Sequence, residues 1–439
     1  MIDLKGITSI TADSREVKPG TLFFAIKGAK ADGHNFIEKA IAQGAAAIVG
    51  ERDMQVSIPY YKSGNIRHEL AVTAAAFYKT QPSQVAVITG TNGKTSTADF
   101  CRQIFEMAHK DACSIGTLGF IHGAEKVEFD NTSPDPVVMH KYLAGVKDFA
   151  AIEGSSIGLE QHRLDGLKVT AAGFTNFTQD HLDYHGTMEE YFRTKTLLFT
   201  RVMQNGTAVI NKELPKFDIG SNKLVTFGKG GDIELLKQTP THDGQEITIS
   251  FFGKKQDYKL GLVGAFQSEN ILCAMGMAFA CGMRDLPIYK LKPIAGRMEQ
   301  AAPGIYVDYA HTPDALENAL KSLRPHTDKK LHVVFGCGGD RDKLKRPLMG
   351  KVATELADSV IVTDDNPRTE KPEVIRKEIL AACPGASEIA DRRKAIETAM
   401  SGMQKGDILL IAGKGHEKYQ IYGTEKQHFD DVEEVKNYI

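Results

Sequence analysis

Short apolar runs recur along this chain, each closed by polar or glycine residues and followed by a segment with helical spacing. Residues 21–26 form one such run between Pro19-Gly20 and Lys27-Gly28, which predicts a strand. Residues 36–44 predict a helix stopped by Gly44, and residues 45–49 the next strand. Thr80-Gln81-Pro82-Ser83 breaks both patterns and reads as a linker. Strand-then-helix units then repeat, with strands at 85–88, 150–153, 171–176 and 208–211. Residues 233–262 change style to short antiparallel strands, and 268–282 return to helix. A last block opens near Gly296, with strands at 304–308, 331–336, 359–363 and 408–412. Such alternation predicts an α/β protein with parallel sheets covered by helices on both faces. Ligands of open α/β sheets bind outside the carboxyl ends of strands, so the residues closing each run are where chemistry is expected.

Composition narrows the function without naming it. A chain of 439 residues has room for two to four domains. Hydrophobic content of 42% and charged content of 25% are those of a globular protein. Lys+Arg 54 against Asp+Glu 56 gives −2, which offers no basic surplus for nucleic acid or an anionic membrane. Six cysteines without a CxxC pair argue against a disulfide framework or a zinc ribbon. They suit a reducing compartment, and with no secretory pattern at residues 1–6 a cytoplasmic location is expected. No run of about 20 apolar residues predicts a membrane span.

The strongest chemical signal is Gly90-Thr91-Asn92-Gly93-Lys94-Thr95-Ser96, set between a strand and a helix read at 97–105. The glycines let backbone N–H groups approach phosphate oxygens, and the helix N-terminus adds its positive dipole end. Lys94 can reach the outer phosphates and Thr95 can ligate magnesium. The general P-loop has a glycine five residues before Gly93, where Ile88 stands here. Glu153 and His181 close two further strands, and a carboxylate with an imidazole there can hold a second divalent cation beside the triphosphate. Lys195 lies in the helical run 191–199, and spacing alone puts it on a solvated face. Asp308, before Tyr309-Ala310-His311, is an acid at a strand end that can hydrogen-bond ribose hydroxyls. Three more strand ends carry Cys337-Gly338-Gly339-Asp340-Arg341, Asp364-Asp365-Asn366-Pro367-Arg368 and Gly413-Lys414-Gly415-His416-Glu417. Arg forks grip carboxylates and acids take ammonium groups, so this set predicts a zwitterionic ligand at one sheet edge.

Taken together, these motifs resemble the Mur ligase family over essentially the whole chain. Asp13-Ser14-Arg15 with Pro19-Gly20 is similar to its uridine-nucleotide motif, and Gly90–Thr95 matches its own P-loop form, which accounts for Ile88. Asp180-His181-Leu182-Asp183-Tyr184-His185-Gly186 is a specific match. The resemblance implies three domains: an N-terminal α/β uridine-nucleotide domain (1–82), a central P-loop parallel-sheet ATPase domain (83–296) and a C-terminal Rossmann-like domain (297–439). It implies ATP and Mg2+ as cofactors, with Asn270, Arg297, Asp308 and His311 around the nucleotide. It makes Lys94, Glu153, His181 and Lys195 catalytic, with Thr95, Glu153, His181 and a carbamylated Lys195 at the metal, against the solvated-face reading of Lys195. Ser14, Thr132, Ser133, Ser155, Gln161 and Arg163 would contact UDP-N-acetylmuramoyl-L-alanyl-D-glutamate. Asp365–Arg368 resembles the signature of the branch that adds meso-diaminopimelate, with Arg341, Asp365, Asn366, Arg368, Gly413 and Glu417 at that amino acid. The same resemblance implies a small-molecule enzyme without nucleic acid or membrane span, acting as a monomer in cell-wall precursor synthesis through an acyl phosphate.

Two departures stand out: Ile157 where the family has His after the Ser-Ser pair, and Gln267 where it has Asn. A sister ligase adding another amino acid such as L-lysine, or a folylpolyglutamate synthase, and a non-enzymatic nucleotide switch, are the competing readings. The missing guanine-reading Asn-Lys-x-Asp argues against the switch; Asn211-Lys212-Glu213-Leu214 falls short of it.

Overall fold

The computed structural model describes residues 2–28, 31–241 and 244–439. Among the described residues three large sheets follow one another along the chain, with a two-stranded hairpin, Tyr419–Tyr422 and Glu425–His428, after them. The first has four parallel strands in the order Ser9–Thr11, Thr21–Phe24, Ala47–Gly50, Tyr60–Lys62. The predicted helix at 36–44 is a 3-10 turn, Gly33–Phe36, leading into a short helix, Ile37–Ala42.

The central sheet has eleven strands and is parallel in its middle. The P-loop strand Gln84–Thr89 lies between Phe149–Glu153 and Ala171–Phe174. Val85 and Val87 enter one buried cluster while Ala86 and Ile88 enter another, so both faces of this strand are covered. Helices Lys94–Met107 and Phe266–Ala280 cover one face, and residues of Pro136–Leu143 help cover the other. The antiparallel style read at 233–262 is the hairpin set Ile233–Thr241, Gly244–Phe251 and Lys254–Leu260 on the sheet edge. The linker around Pro82 is docked: Gln81 donates to Gly166 O at 2.9 Å and Ser83 to Asp148 O at 2.8 Å.

The third sheet runs Glu299–Ala302, Ile305–Asp308, Ile408–Ala412, Leu331–Phe335, Ser359–Val362, Ser387–Glu388, all parallel but the first. The last long strand in sequence therefore lies between the first two parallel strands. That interleaving brings the loops after Asp308, Ala412, Phe335 and Val362 side by side at one carboxyl edge, as the sequence pattern predicts.

Candidate active site

Strand register places Glu153 beside Ile88, two residues before Gly90, and Phe174 beside Thr89. The carboxyl ends of the flanking strands thus frame the glycine loop. Gly90 has φ +141 and Gly93 φ +82, and an added Cβ would fall 1.9 Å from Thr175 Oγ1 and 2.1 Å from Asn270 Oδ1 respectively. Only glycine fits such an approach. The loop is braced by Asn176, whose Oδ1 accepts from Asn92 N at 2.8 Å and whose amide donates to Asn92 O at 3.1 Å. The helix starts at Lys94, three residues before the reading from sequence, because Gly93 caps it.

Two lysines converge on this loop. Lys94 Nζ donates to Gly90 O at 2.9 Å and Thr91 O at 2.7 Å; Lys195 Nζ donates to Gly90 O at 2.7 Å. Lys195 is 1% exposed and lies over the Tyr191 ring, 4.4 Å from its centroid, so the solvated-face reading from spacing is wrong. Its helix, Met188–Leu197, turns that face inward and continues as a π turn, Leu198–Val202. Burial first, then the neighbouring Lys94 charge, pull the Lys195 ammonium well below its ordinary value, which favours the neutral amine. Burial also lowers Lys94.

A hydrogen-bonded chain of hydroxyls and one carboxylate runs across the loop. Thr95 Oγ1 donates to Glu153 Oε2 at 3.0 Å, and Thr117 N donates to Glu153 Oε1 at 2.7 Å. Thr117 Oγ1 lies 3.2 Å from Thr132 Oγ1. From the third sheet's side, Arg297 donates to Thr95 Oγ1 at 3.2 Å and stacks on Tyr309, 4.5 Å from its centroid. Ser96 is buried behind the loop. His181 begins a short helix at φ +52, half-exposed, its Nε2 3.4 Å from Asp180 Oδ2. Burial lowers the His181 imidazole. Glu153 and Thr95 offer hard oxygen ligands that fit magnesium, and a carbamate on Lys195 would add another; the His181 nitrogen is the atypical member.

Gln267 departs from the family pattern, yet its Oε1 accepts from Asn270 Nδ2 at 3.1 Å and orients that side chain over Gly93. Asp308 is committed to the backbone: its oxygens accept from Met298 N at 2.7 Å and Ala310 N at 2.8 Å. It braces the turn that presents Arg297 and Tyr309. His311 Nδ1 pairs with Tyr309 O at 2.8 Å, and burial lowers its imidazole to about 4. Asn92 reaches across to the third unit, donating to Asp314 Oδ2 at 2.7 Å.

Ser133, Ser155, Gln161 and Arg163 form a second group at the central sheet's edge. Ser133 Oγ donates to Glu153 O at 2.8 Å and lies 3.0 Å from Ser155 Oγ. Arg163 donates to Ser133 O and Gln161 Oε1, both at 2.8 Å. Gln161 and Arg163 line a cavity of about 210 Å³ with Ile26, Arg67, Asn131 and Asp135. Ser14 is not among the residues lining that cavity and sits between Asp13 and Arg15, whose side chains form an ion pair. Where the family pattern has His, Ile157 stands, but His185 reaches the neighbouring Ser156, Nε2 to Oγ 2.9 Å. On the far side of the 161–165 loop, Asp165 Oδ2 pairs with His68 Nδ1 and His162 Nδ1, both at 2.7 Å. Asn65 Oδ1 already accepts from His68 N, so its amide nitrogen faces His162 Nε2 at 3.1 Å. Every ring nitrogen of His162 is thereby satisfied, and the trio is a strap between the first two units.

The third group joins three strand ends. Asn366 donates to Glu417 Oε2 at 2.8 Å and accepts from Ile421 N at 3.0 Å. Arg368, at φ +53, donates to Gly339 O at 2.9 Å. A Cβ on Gly338 would lie 2.8 Å from Arg368 Nη1 and 3.9 Å from Arg341 Cγ, so both arginines flank this glycine. Gly413, at φ +114, would carry a Cβ 2.7 Å from Asp365 Oδ2. Sequence reasoning missed Thr117, Asn176, Asp314 and Lys414. Asn176 and Lys414 stood in strand-end runs already marked, but polarity there gave no sign of their partners.

Descriptions of known protein families match most of the chain. Residues 6–106, 88–278 and 296–415 match the descriptions "Mur ligase family, catalytic domain", "Mur ligase middle domain" and "Mur ligase, glutamate ligase domain". A relative from Caulobacter vibrioides, UDP-N-acetylmuramoyl-L-alanyl-D-glutamate–2,6-diaminopimelate ligase, is 45% identical, covering 98% of this chain and 94% of its own. The chain belongs to the Mur ligase family. A relative of the same name from Mesorhizobium japonicum is 44% identical over 98% of this chain and 94% of its own. A solved structure of a ligase of that name superposes with TM-score 0.71 at 33% identity, over 99% of this chain and 94% of that one. The MurF ligase of Thermotoga maritima, solved with ADP, shares the fold at TM-score 0.71 and 22% identity, covering 100% and 98%. Among the described residues no helix is long and apolar enough to cross a membrane.

Proposed function

We propose that the protein is the ATP-dependent ligase that adds meso-diaminopimelate to UDP-N-acetylmuramoyl-L-alanyl-D-glutamate. The reading is carried by the cleft in which Arg368 and Glu417, opposite in charge, are joined through Asn366, as a zwitterion with an extra carboxylate requires. The names of relatives at 42 to 45% identity support it. The D-glutamyl carboxylate attacks the γ-phosphate of ATP, expelling ADP and giving an acyl phosphate, and an amine of diaminopimelate then adds to the carbonyl, loses a proton and displaces phosphate. Lys94 leaves the Gly90 and Thr91 carbonyls for the outer phosphates, and the loop amides hold them. Magnesium, held by Thr95 and Glu153 with His181 and a carbamylated Lys195, would supply charge neutralisation on the triphosphate. Arg297, Asn270 and His311 complete the nucleotide site, and Asp308 holds its turn. Ser14, Thr132, Ser133, Ser155, Gln161 and Arg163 take the UDP-muramoyl dipeptide, whose carboxylate must reach the same loop. The units 1–82, 83–296 and 297–439 are read as the UDP-muramoyl, ATP and amino-acid units, with the central unit also reaching the dipeptide through Ser133, Ser155, Gln161 and Arg163 and the third reaching the nucleotide through Arg297 and His311. The six buried, unpaired cysteines suit a cytoplasmic enzyme, acting as a monomer. The test is ADP release with the muramoyl dipeptide and either amino acid: turnover with meso-diaminopimelate far above L-lysine supports the reading, and equal kcat/KM overturns it.

A further inference from the structure

Lys414 closes the amino-acid cleft from behind. It is 0% exposed, and its Nζ lies 3.3 Å from Asn366 Oδ1 and 3.3 Å from Glu417 Oε2 and donates to Tyr419 O. An ammonium has three protons. Three protein acceptors use them, so none is left for a bound ligand. Glu417 Oε2 is likewise saturated, by Lys414 and by Asn366 Nδ2, whereas Glu417 Oε1 has no donor among the described residues. We propose, building on the amino-acid site assigned above, that Lys414 is a positioning residue: it fixes the Asn366 amide and keeps Glu417 ionised, so that Oε1 receives the substrate ammonium.

The surrounding charges make this role necessary. Burial and the nearby Asp365 carboxylate push the Glu417 carboxyl up, and Lys414 opposes them. Arg392 also faces Glu417, but is bound to Asp431 at 2.7 Å; Tyr309 and Tyr419 are further titratable neighbours, and Arg368 lies on the other side of Asn366. Among the described residues Lys414 is the one cation within ion-pair distance of Glu417. Without it, two acids share a closed cleft and Glu417 takes up a proton.

Steady-state kinetics of Lys414→Met in the full chain tests this, using whichever amino acid the wild type prefers. The amino-acid KM should rise about tenfold or more, with KM for ATP and for the muramoyl dipeptide within about threefold. Relative to wild type, that defect should be largest near pH 6 and shrink toward pH 9, as Glu417 regains its charge. On a Glu417→Gln background, adding Lys414→Met should change the amino-acid KM little. Should Lys414→Met fail to fold, Lys414→Gln, which keeps donors without charge, is read in the same cycle. Additive effects, or equal losses for all three substrates, would overturn the proposal. A wild-type preference for L-lysine would instead overturn the diaminopimelate reading, leaving the Lys414–Glu417 cycle to stand or fall alone.

Discussion

The phosphate end and the amino-acid end of this molecule are built in opposite ways. At the phosphate end, seven consecutive residues, Gly90–Ser96, supply the loop, and neighbouring strands brace it. At the amino-acid end, Arg341, Asn366 and Glu417 come from three strand ends up to 76 positions apart (417 − 341), joined because the strand Ile408–Ala412 inserts between two earlier ones. A contiguous site tolerates domain movement; a composite one depends on its buried connectors, here Lys414 and Asn366. Lys195 is the exception at the phosphate end: it arrives from a distant helix and shares the Gly90 carbonyl with Lys94.

That contrast can be tested in order of expected effect. Lys94→Ala should remove ligation by at least about a thousandfold while unfolding normally, because a half-buried loop cation contributes to transition-state charge and not to a core. Near-wild-type turnover would show that the loop does not hold the phosphates. Lys195→Ala should lose about a hundredfold or more. Formate or acetate should restore part of it by refilling an anionic position. No rescue, with crystallography in bicarbonate showing a bare ammonium, would leave Lys195 as a plain brace of Gly90. Arg368→Ala should weaken diaminopimelate by about 2 kcal/mol, the low end for a charged pair because Arg368 is half-buried. ATP KM should stay near wild type, and Arg368→Lys should not restore selectivity, since a point charge lacks the fork. Equal losses for diaminopimelate and L-lysine would mean that Arg368 does not read the extra carboxylate.

The smallest effect concerns the scaffold under the amino-acid end. Hydrogen bonds from buried Arg346 hold the Glu370 carboxyl at about 2, below its ordinary 4.5. A depressed carboxylate pKa contributes stability that is present above pH 4.5 and lost as pH falls through about 2. Glu370→Gln should therefore lower Tm at neutral pH by a few degrees and flatten the acid limb between those values. An unchanged acid limb would place the third unit's acid sensitivity elsewhere, for example at the Asp407–His332 pair.

Much of this protein was legible without coordinates. The apolar runs identified the strands because both faces of a parallel sheet must be covered, and Gly90 and Gly93 marked a turn that no side chain could occupy. Such signals are local: they rest on burial period and backbone conformation, which neighbouring residues report together. Tertiary structure alone decided which polar groups meet. Spacing sent Lys195 to solvent, yet packing over Tyr191 buries it; Asp308, read as an acid for ribose hydroxyls, accepts from two backbone N–H groups. Lys414 looked like one more charged residue in a glycine-rich turn. Its role comes from joining Asn366, on another loop, to Glu417 and Tyr419 on its own segment, and a hydrogen bond between residues distant in sequence leaves no periodic trace along the chain.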